Sequence, residues 1–355
     1  MRVFFSAGEA SGDTYAAALA ARIAALRPGA TFEGVGGHRL EAAGGKLVAD
    51  STKWGAIGIV MAFVASWGGI GGFLAAQRAL ATGRPGLFVP IDFGFFNIKL
   101  ARRAKALGWK VAYFAPPGSW RRDRQGKDLA AITDLVVTQF PWSRDLLVAQ
   151  GCDAHWLGHP LKELAAARPA VENREGLAVL PGSRHHEIAA NLPLAREATK
   201  GLDGPFWIGL APSVDKDWIR SLWPEVQIVE GASEALRRAR AAIVCSGTAT
   251  LEAALCHCPS VIVYRGNWLM EMEAQIRRPR IAHIGLPNII LERRAVPELY
   301  LWQATPQAVR EALLPLLADT PERQEQMKQL EAADGMLGPS DALTQTAKLL
   351  VERFG

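Results

Sequence analysis

The chain has 355 residues, 49% hydrophobic and 21% charged, which is too much for one ordinary core, suits two domains and excludes a disordered chain. A net charge of +5 favours anionic partners such as phosphates or an anionic lipid surface, but Lys and Arg are scattered, so no nucleic acid partner is expected. Four cysteines and a start, MRVFFSAGEASG, without the basic and apolar regions of a signal peptide predict a reducing cytosol.

Short apolar runs alternate with helix-like segments. The first series is VFFSAG (3–8), TFEGVGG (31–37), LFVPID (87–92), KVAYFAP (110–116), LVVTQF (135–140) and AHWLG (154–158). Within it, residues 54–76 read WGAIGIVMAFVASWGGIGGFLAA, long enough and apolar enough to raise a membrane span. Its six glycines, each costing a helix interior about 1 kcal/mol, and its place between two strands of one sheet argue against spanning. The second series is GLAVLPGS (176–183), FWIGLAP (206–212), VQIVEG (226–231), AAIVCSG (241–247) and SVIVYR (260–265). Continuous apolar strands alternating with helices predict parallel sheets buried on both faces. The polar stretch 158–176, with two prolines, separates a domain at 1–160 from one at 161–335. The remainder reads as helices, one opening with Thr305 as N-cap before Pro306, and the last (336–355) is expected to pack back on the first domain.

In open parallel sheets ligands bind beyond the carboxyl ends of the strands, so the turns there carry the information. SAGEASGD (6–13) predicts a helix opening at Gly12-Asp13 with free N–H groups, or an ordinary tight turn. GVGGHRL (34–40) lacks the spacing of a dinucleotide fingerprint. Asp92 in PIDFGFFN, between Ile91 and Phe93, is either a partly desolvated base or a helix cap. In LPGSRHHEI, Gly182 and Ser183 open a helix beside the Arg184 cation, an anion site suited to a diphosphate. In SGTATLEAAL, Ser246, Thr248 and Thr250 can bond phosphate oxygens, while Glu252 either accepts from ribose hydroxyls or completes a capping box. Two anion-type turns in one domain suggest a nucleotide-diphosphate compound. Cys256 and Cys258 flank His257 without a second ligand pair, and the seven histidines show no zinc spacing, so no metal is expected.

In this order SAGEASGD, GVGG, ID followed by FN, GHPL, LPGSR, SGTATLE and LPNII resemble the motifs of lipid-A-disaccharide synthases, from residue 1 to about 350. The resemblance implies two Rossmann-like domains facing a cleft, the GT-B arrangement, with the nucleotide held mainly by the second. It implies transfer of 2,3-diacylglucosamine from UDP to 2,3-diacylglucosamine 1-phosphate, giving a β-1,6-linked disaccharide and UDP. The implied setting is peripheral, at the cytoplasmic face of the inner membrane, with no metal or other cofactor and with a homodimer as one arrangement. Asp92 is then the base that takes the proton of the acceptor 6-hydroxyl, and Arg184 with Ser183 stabilises phosphate charge. Ser246, Gly247, Thr248, Thr250 and Glu252 hold UDP; Asn288 of LPN lies near the nucleotide; Ser11, Gly12, Asp13 and Asn97 contribute from the first domain.

The chain departs from the family pattern where Phe95 replaces a second Asp, over 115–122, and at Ser143, which stands at a Glu position. These departures fall in the domain expected to hold the acceptor. By resemblance, the apolar run supplies a membrane-facing patch formed in part by Ile59, Val60, Met61, Phe63, Val64 and Trp67, aided by Lys53 and Arg78. Competing readings are another UDP-sugar enzyme of the same architecture, such as a hexosamine 2-epimerase or a different glycosyltransferase, and a UDP-sugar or lipid-binding protein without chemistry.

Overall fold

A computed structural model describes residues 1–51, 67–123, 128–166, 173–210, 214–265 and 282–355. The chain forms two compact units, residues 1–163 with 338–355, and residues 164–337.

The first unit is a parallel sheet of β1 (Arg2–Ala7), β2 (Thr31–Gly36), β3 (Lys46–Asp50), β4 (Leu87–Ile91), β5 (Lys110–Phe114), β6 (Leu135–Thr138) and β7 (Ala154–Trp156). The strand order is β3-β2-β1-β4-β5-β6-β7. Growth therefore reverses between β1 and β4, which pair in register with Ala7 opposite Ile91. The central strands are buried throughout; all five residues of β4 are inaccessible. Phe4, Phe88 and Trp109 pack across one face, and Trp109 Nε1 donates to Leu80 O at 2.8 Å, so the largest side chain in this cluster leaves no orphan donor.

The second unit is a parallel sheet of β8 (Leu177–Leu180), β9 (Phe206–Leu210), β10 (Gln227–Glu230), β11 (Ala241–Cys245), β12 (Ser260–Tyr264) and β13 (Glu298–Tyr300), in the order β10-β9-β8-β11-β12-β13. Its reversal lies between β8 and β11. Two apolar clusters cover its two faces, one around Ile208, Ile243 and Trp223, the other around Ala242, Val244 and Leu236.

Two strands were not expected from the apolar runs. β3, KLVAD, is an edge strand with no fully buried residue, and β13, ELY, is a three-residue edge strand with a buried Glu. Edge strands need only one covered side, so their sequences carry weaker apolar runs.

The C-terminal helix Ala342–Phe354 belongs to the first unit, packed on the helix Ala10–Leu26. Glu163 ties it down: its Oε2 accepts the Leu343 N–H at 2.6 Å and the Thr344 N–H at 3.2 Å, while Oε1 receives Arg22 Nη2 at 2.6 Å. A nearly buried carboxylate is thus spent on a helix N-terminus and a guanidinium. The GHPL motif forms the adjoining joint. Gly158 has φ +103°, and a Cβ there would stand 2.6 Å from Pro339 O. His159 is buried and its pKa is pushed down to about 3 by desolvation.

Candidate functional site

At the reversal of the first sheet, β4 ends in a turn of unusual backbone. Asp92 and Phe93 both adopt left-handed φ, +44° and +52°, costly for residues with a side chain. Several bonds hold the turn. The Asp92 N–H donates to Phe114 O at 3.3 Å. The Asp92 carbonyl accepts from Tyr113 Oη at 2.8 Å and from Asn97 Nδ2 at 2.9 Å. The Phe93 ring lies against Gly8, where a Cβ would fall 2.2 Å from it, so glycine at that position leaves room for the ring. The Asp92 side chain is reachable by solvent but has dense protein on its other sides. Its pKa is pushed up to about 6, first by desolvation and then by the Glu9 carboxylate, against a hydrogen bond from the Phe93 backbone. Such a group is mostly ionised at neutral pH yet more basic than an ordinary carboxylate, which suits proton abstraction.

Other predicted residues of this unit serve the fold. The helix after β1 opens at Ala10, not at Gly12-Asp13, so Ser11 and Gly12 lie inside its first turn. Asp13, expected in the site, is buried, and its carboxylate accepts N–H groups from Gly37 at 2.7 Å, Arg39 at 3.1 Å and Leu40 at 3.2 Å. The glycine-rich turn GVGG is thus filled by the chain's own anion. Asn97, expected to meet substrate, is fully buried: it accepts from Ser6 Oγ at 2.6 Å and donates to the carbonyls of Ser6, Ile91 and Asp92. It laces the ends of β1 and β4 together.

In the second unit the turn after β8 is also filled. The helix opens at His185 with Arg184 as its N-cap residue, and Glu187 folds back on the turn. Its Oε2 accepts the N–H groups of Ser183 at 3.0 Å and Arg184 at 3.2 Å, and its Oε1 accepts from Arg184 Nη1 at 2.9 Å. The expected open anion cradle at Ser183 is therefore corrected: its N–H groups are capped, and what this turn presents is an oriented, half-buried guanidinium and the exposed Ser183. Sequence reasoning missed Glu187, though a Glu three residues after the cap residue has capping-box spacing.

After β11, Gly247 (φ +142°) begins the helix Thr248–Leu255, with Gly247 and Thr248 exposed. Ser246 Oγ donates to Ile284 O at 2.6 Å, which removes its proton from ligand binding. Thr250 is buried; its hydroxyl donates to Gly247 O at 2.8 Å and accepts the Leu286 N–H at 3.0 Å, so it holds the turn and does not reach a phosphate. Glu252 Oε2 accepts from Ser233 Oγ at 2.7 Å. Asn288 is also withdrawn from the site. It is fully buried, donating to Val296 O and accepting the N–H groups of Ala295 and Val296, all at 2.8 Å. Asn191, absent from the predicted set, joins three strand ends by donating to Pro181 O and Cys245 Sγ and accepting the Arg265 N–H.

A family model described as lipid-A-disaccharide synthetase matches residues 3–346. The chain belongs to the lipid-A-disaccharide synthetase family. The Myxococcus xanthus (strain DK1622) lipid-A-disaccharide synthase is 33% identical over 99% of this chain and 97% of that protein. The fold is shared with solved GT-B structures: the calicheamicin glycosyltransferase CalG4, at TM-score 0.59 and 16% identity, covers 99% of this chain and 98% of its own. A putative UDP-N-acetylglucosamine 2-epimerase from Listeria monocytogenes, at TM-score 0.64 and 10% identity, covers 99% and 96%. Both transferases and epimerases thus carry this architecture, and it is the family that makes the chain a glycosyltransferase.

The departures of this lipid-A-disaccharide synthetase family member lie in different surroundings. Phe95 is exposed, with Lys99 Nζ 4.1 Å from its ring centroid, and Trp120 is exposed beside Arg121. Ser143 is fully buried, and its hydroxyl finds no partner among the described residues. Of the expected patch, Ile59, Val60, Met61, Phe63 and Val64 lie outside the described residues, while Trp67 begins the helix Trp67–Leu80. Among the described residues no helix is long and apolar enough to cross a membrane, and no cluster of three or more metal-type ligands occurs.

Proposed function

We propose that this glycosyltransferase moves 2,3-diacylglucosamine from UDP to 2,3-diacylglucosamine 1-phosphate at the cytoplasmic face of the inner membrane. The observation that carries this reading is Asp92: a carboxyl at a sheet reversal, with its pKa raised to about 6, in a chain of this family. Asp92 accepts the proton of the acceptor 6-hydroxyl as that oxygen bonds to the anomeric carbon of the donor. The bond from that carbon to the UDP oxygen breaks from the opposite face, so the configuration inverts. Charge develops on the departing diphosphate. Arg184, oriented by Glu187, meets it together with Ser183, Gly247, Thr248 and the N-terminus of the helix Thr248–Leu255. Ser246 lines the turn through its backbone, and Glu252, oriented by Ser233, faces the ribose. The reaction needs no metal.

Peripheral docking is supported by the helix Trp67–Leu80, where Ile70 and Leu74, one turn apart, are 43% and 45% exposed. The test is an assay with both lipid substrates in vesicles, read by mass spectrometry, beside one with UDP-N-acetylglucosamine alone. A disaccharide monophosphate with release of UDP is expected. Turnover of the unacylated nucleotide sugar alone overturns the reading.

A further inference from the structure

We propose that Tyr113 and Asn97 are positioning residues for the base: together they clamp the Asp92 main chain and so fix where its carboxylate points. The inference rests on Asp92 being the base.

Two consecutive non-glycine residues in the left-handed region, Asp92 and Phe93, do not hold that conformation unaided. Relaxation of either φ swings the carboxylate away from its present direction. The Asp92 carbonyl, the atom such a flip would move, carries two donors at once: Tyr113 Oη at 2.8 Å and Asn97 Nδ2 at 2.9 Å. Both donors are themselves immobilised. Tyr113 lies in β5 and is fully buried. Asn97 is held by Ser6 Oγ and by two further carbonyls across the pairing of β1 with β4. The clamp thus refers the turn to three adjacent strands. A misplacement of about 1 Å in a reacting group lowers rate by on the order of 100-fold.

Neither side chain needs to touch substrate, which separates this role from substrate binding. Among the described residues the titratable groups facing Asp92 are Glu9, from the turn after β1, and Tyr113 itself. A carboxylate freed from the clamp moves relative to both and gains water, so its pKa falls toward the ordinary range.

The experiment compares Tyr113→Phe with the wild type in the two-substrate assay. A fall of about 10-fold to 100-fold in kcat is expected, with both KM values within twofold. The acid limb of kcat/KM should move from near 6 toward the ordinary carboxylate range. A 13C-aspartate titration should show the same downward shift without relying on turnover. Asn97→Leu, which is similar in size, adds no charge and removes the amide donors, is the second variant should the first fold poorly. Wild-type kcat and an unmoved titration in a folded Tyr113→Phe overturn the proposal, as does a rise confined to KM. If Asp92→Asn retains full turnover, the base assignment fails whatever Tyr113 does, so the two failures are distinguishable.

Discussion

The turns after β4 and β8 each lie beside a reversal of strand order, on opposite sides of it in their own sheets, yet they treat a carboxylate in opposite ways. At β8 Glu187 is met by two backbone N–H groups and a guanidinium and is used up in holding its own turn. At β4 Asp92 is given a like-charged neighbour and dense protein on all sides but one, and its backbone rather than its carboxylate receives the clamping bonds. Position in the fold therefore does not make a carboxylate reactive. Whether the fold satisfies its oxygens does. GVGG teaches the same from the other side: a glycine-rich turn is not an open phosphate cradle when Asp13 stands within reach.

The largest effect expected is from Asp92→Asn, which keeps a residue tolerant of left-handed φ and removes only the base. Turnover should fall by about 100-fold to 10,000-fold with donor binding unchanged, measured by steady-state kinetics and UDP titration. In the wild type, kcat/KM should decline as pH falls through about 6. The sign for stability is the reverse of that for a salt-bridged carboxylate. Because the folded pKa is raised, the native state pays for the charge at neutral pH, so Asp92→Asn should melt at the same or a higher temperature above pH 6.

Glu187→Ala probes the satisfied carboxylate. It leaves two N–H groups without their acceptor, and a loss of about 1–3 kcal/mol is expected in denaturant unfolding. An unchanged midpoint would mean that water replaces the carboxylate without cost. Asn288→Ala should destabilise by a similar amount, about 1–3 kcal/mol, while the donor KM stays within twofold. A selective rise in donor KM would return Asn288 to the site. The smallest effect at neutral pH is at His159, whose folded pKa near 3 lies below its ordinary 6.5. Its contribution to stability is whole above 6.5 and shrinks as pH falls toward 3, so His159→Gln should flatten the pH dependence of unfolding across that window.

The strand–helix alternation and the turns at strand ends were legible because buried parallel strands must be apolar throughout. Two of the four edge strands, β3 and β13, were not, since one uncovered side relaxes that demand, whereas the edges β7 and β10 kept apolar runs long enough to read. Asp92 was legible as a lone carboxylate at a strand end. The duties of Asp13, Asn97 and Asn288 were not, because a motif records that a polar residue is needed and not whether it faces a ligand or the backbone. Tyr113 gives no signal at all: within an apolar strand it reads as one more core aromatic, and only its hydroxyl's partner reveals a role.

The return of residues 338–355 to the first unit bears on biosynthesis. The second unit is, in chain terms, an insertion within the first. During translation the first sheet leaves the ribosome early, but the amides of Leu343 and Thr344 that Glu163 binds emerge only after the whole second unit has been made. The early half must therefore wait with one helix face uncovered, and its completion is timed by the late arrival of its own last segment.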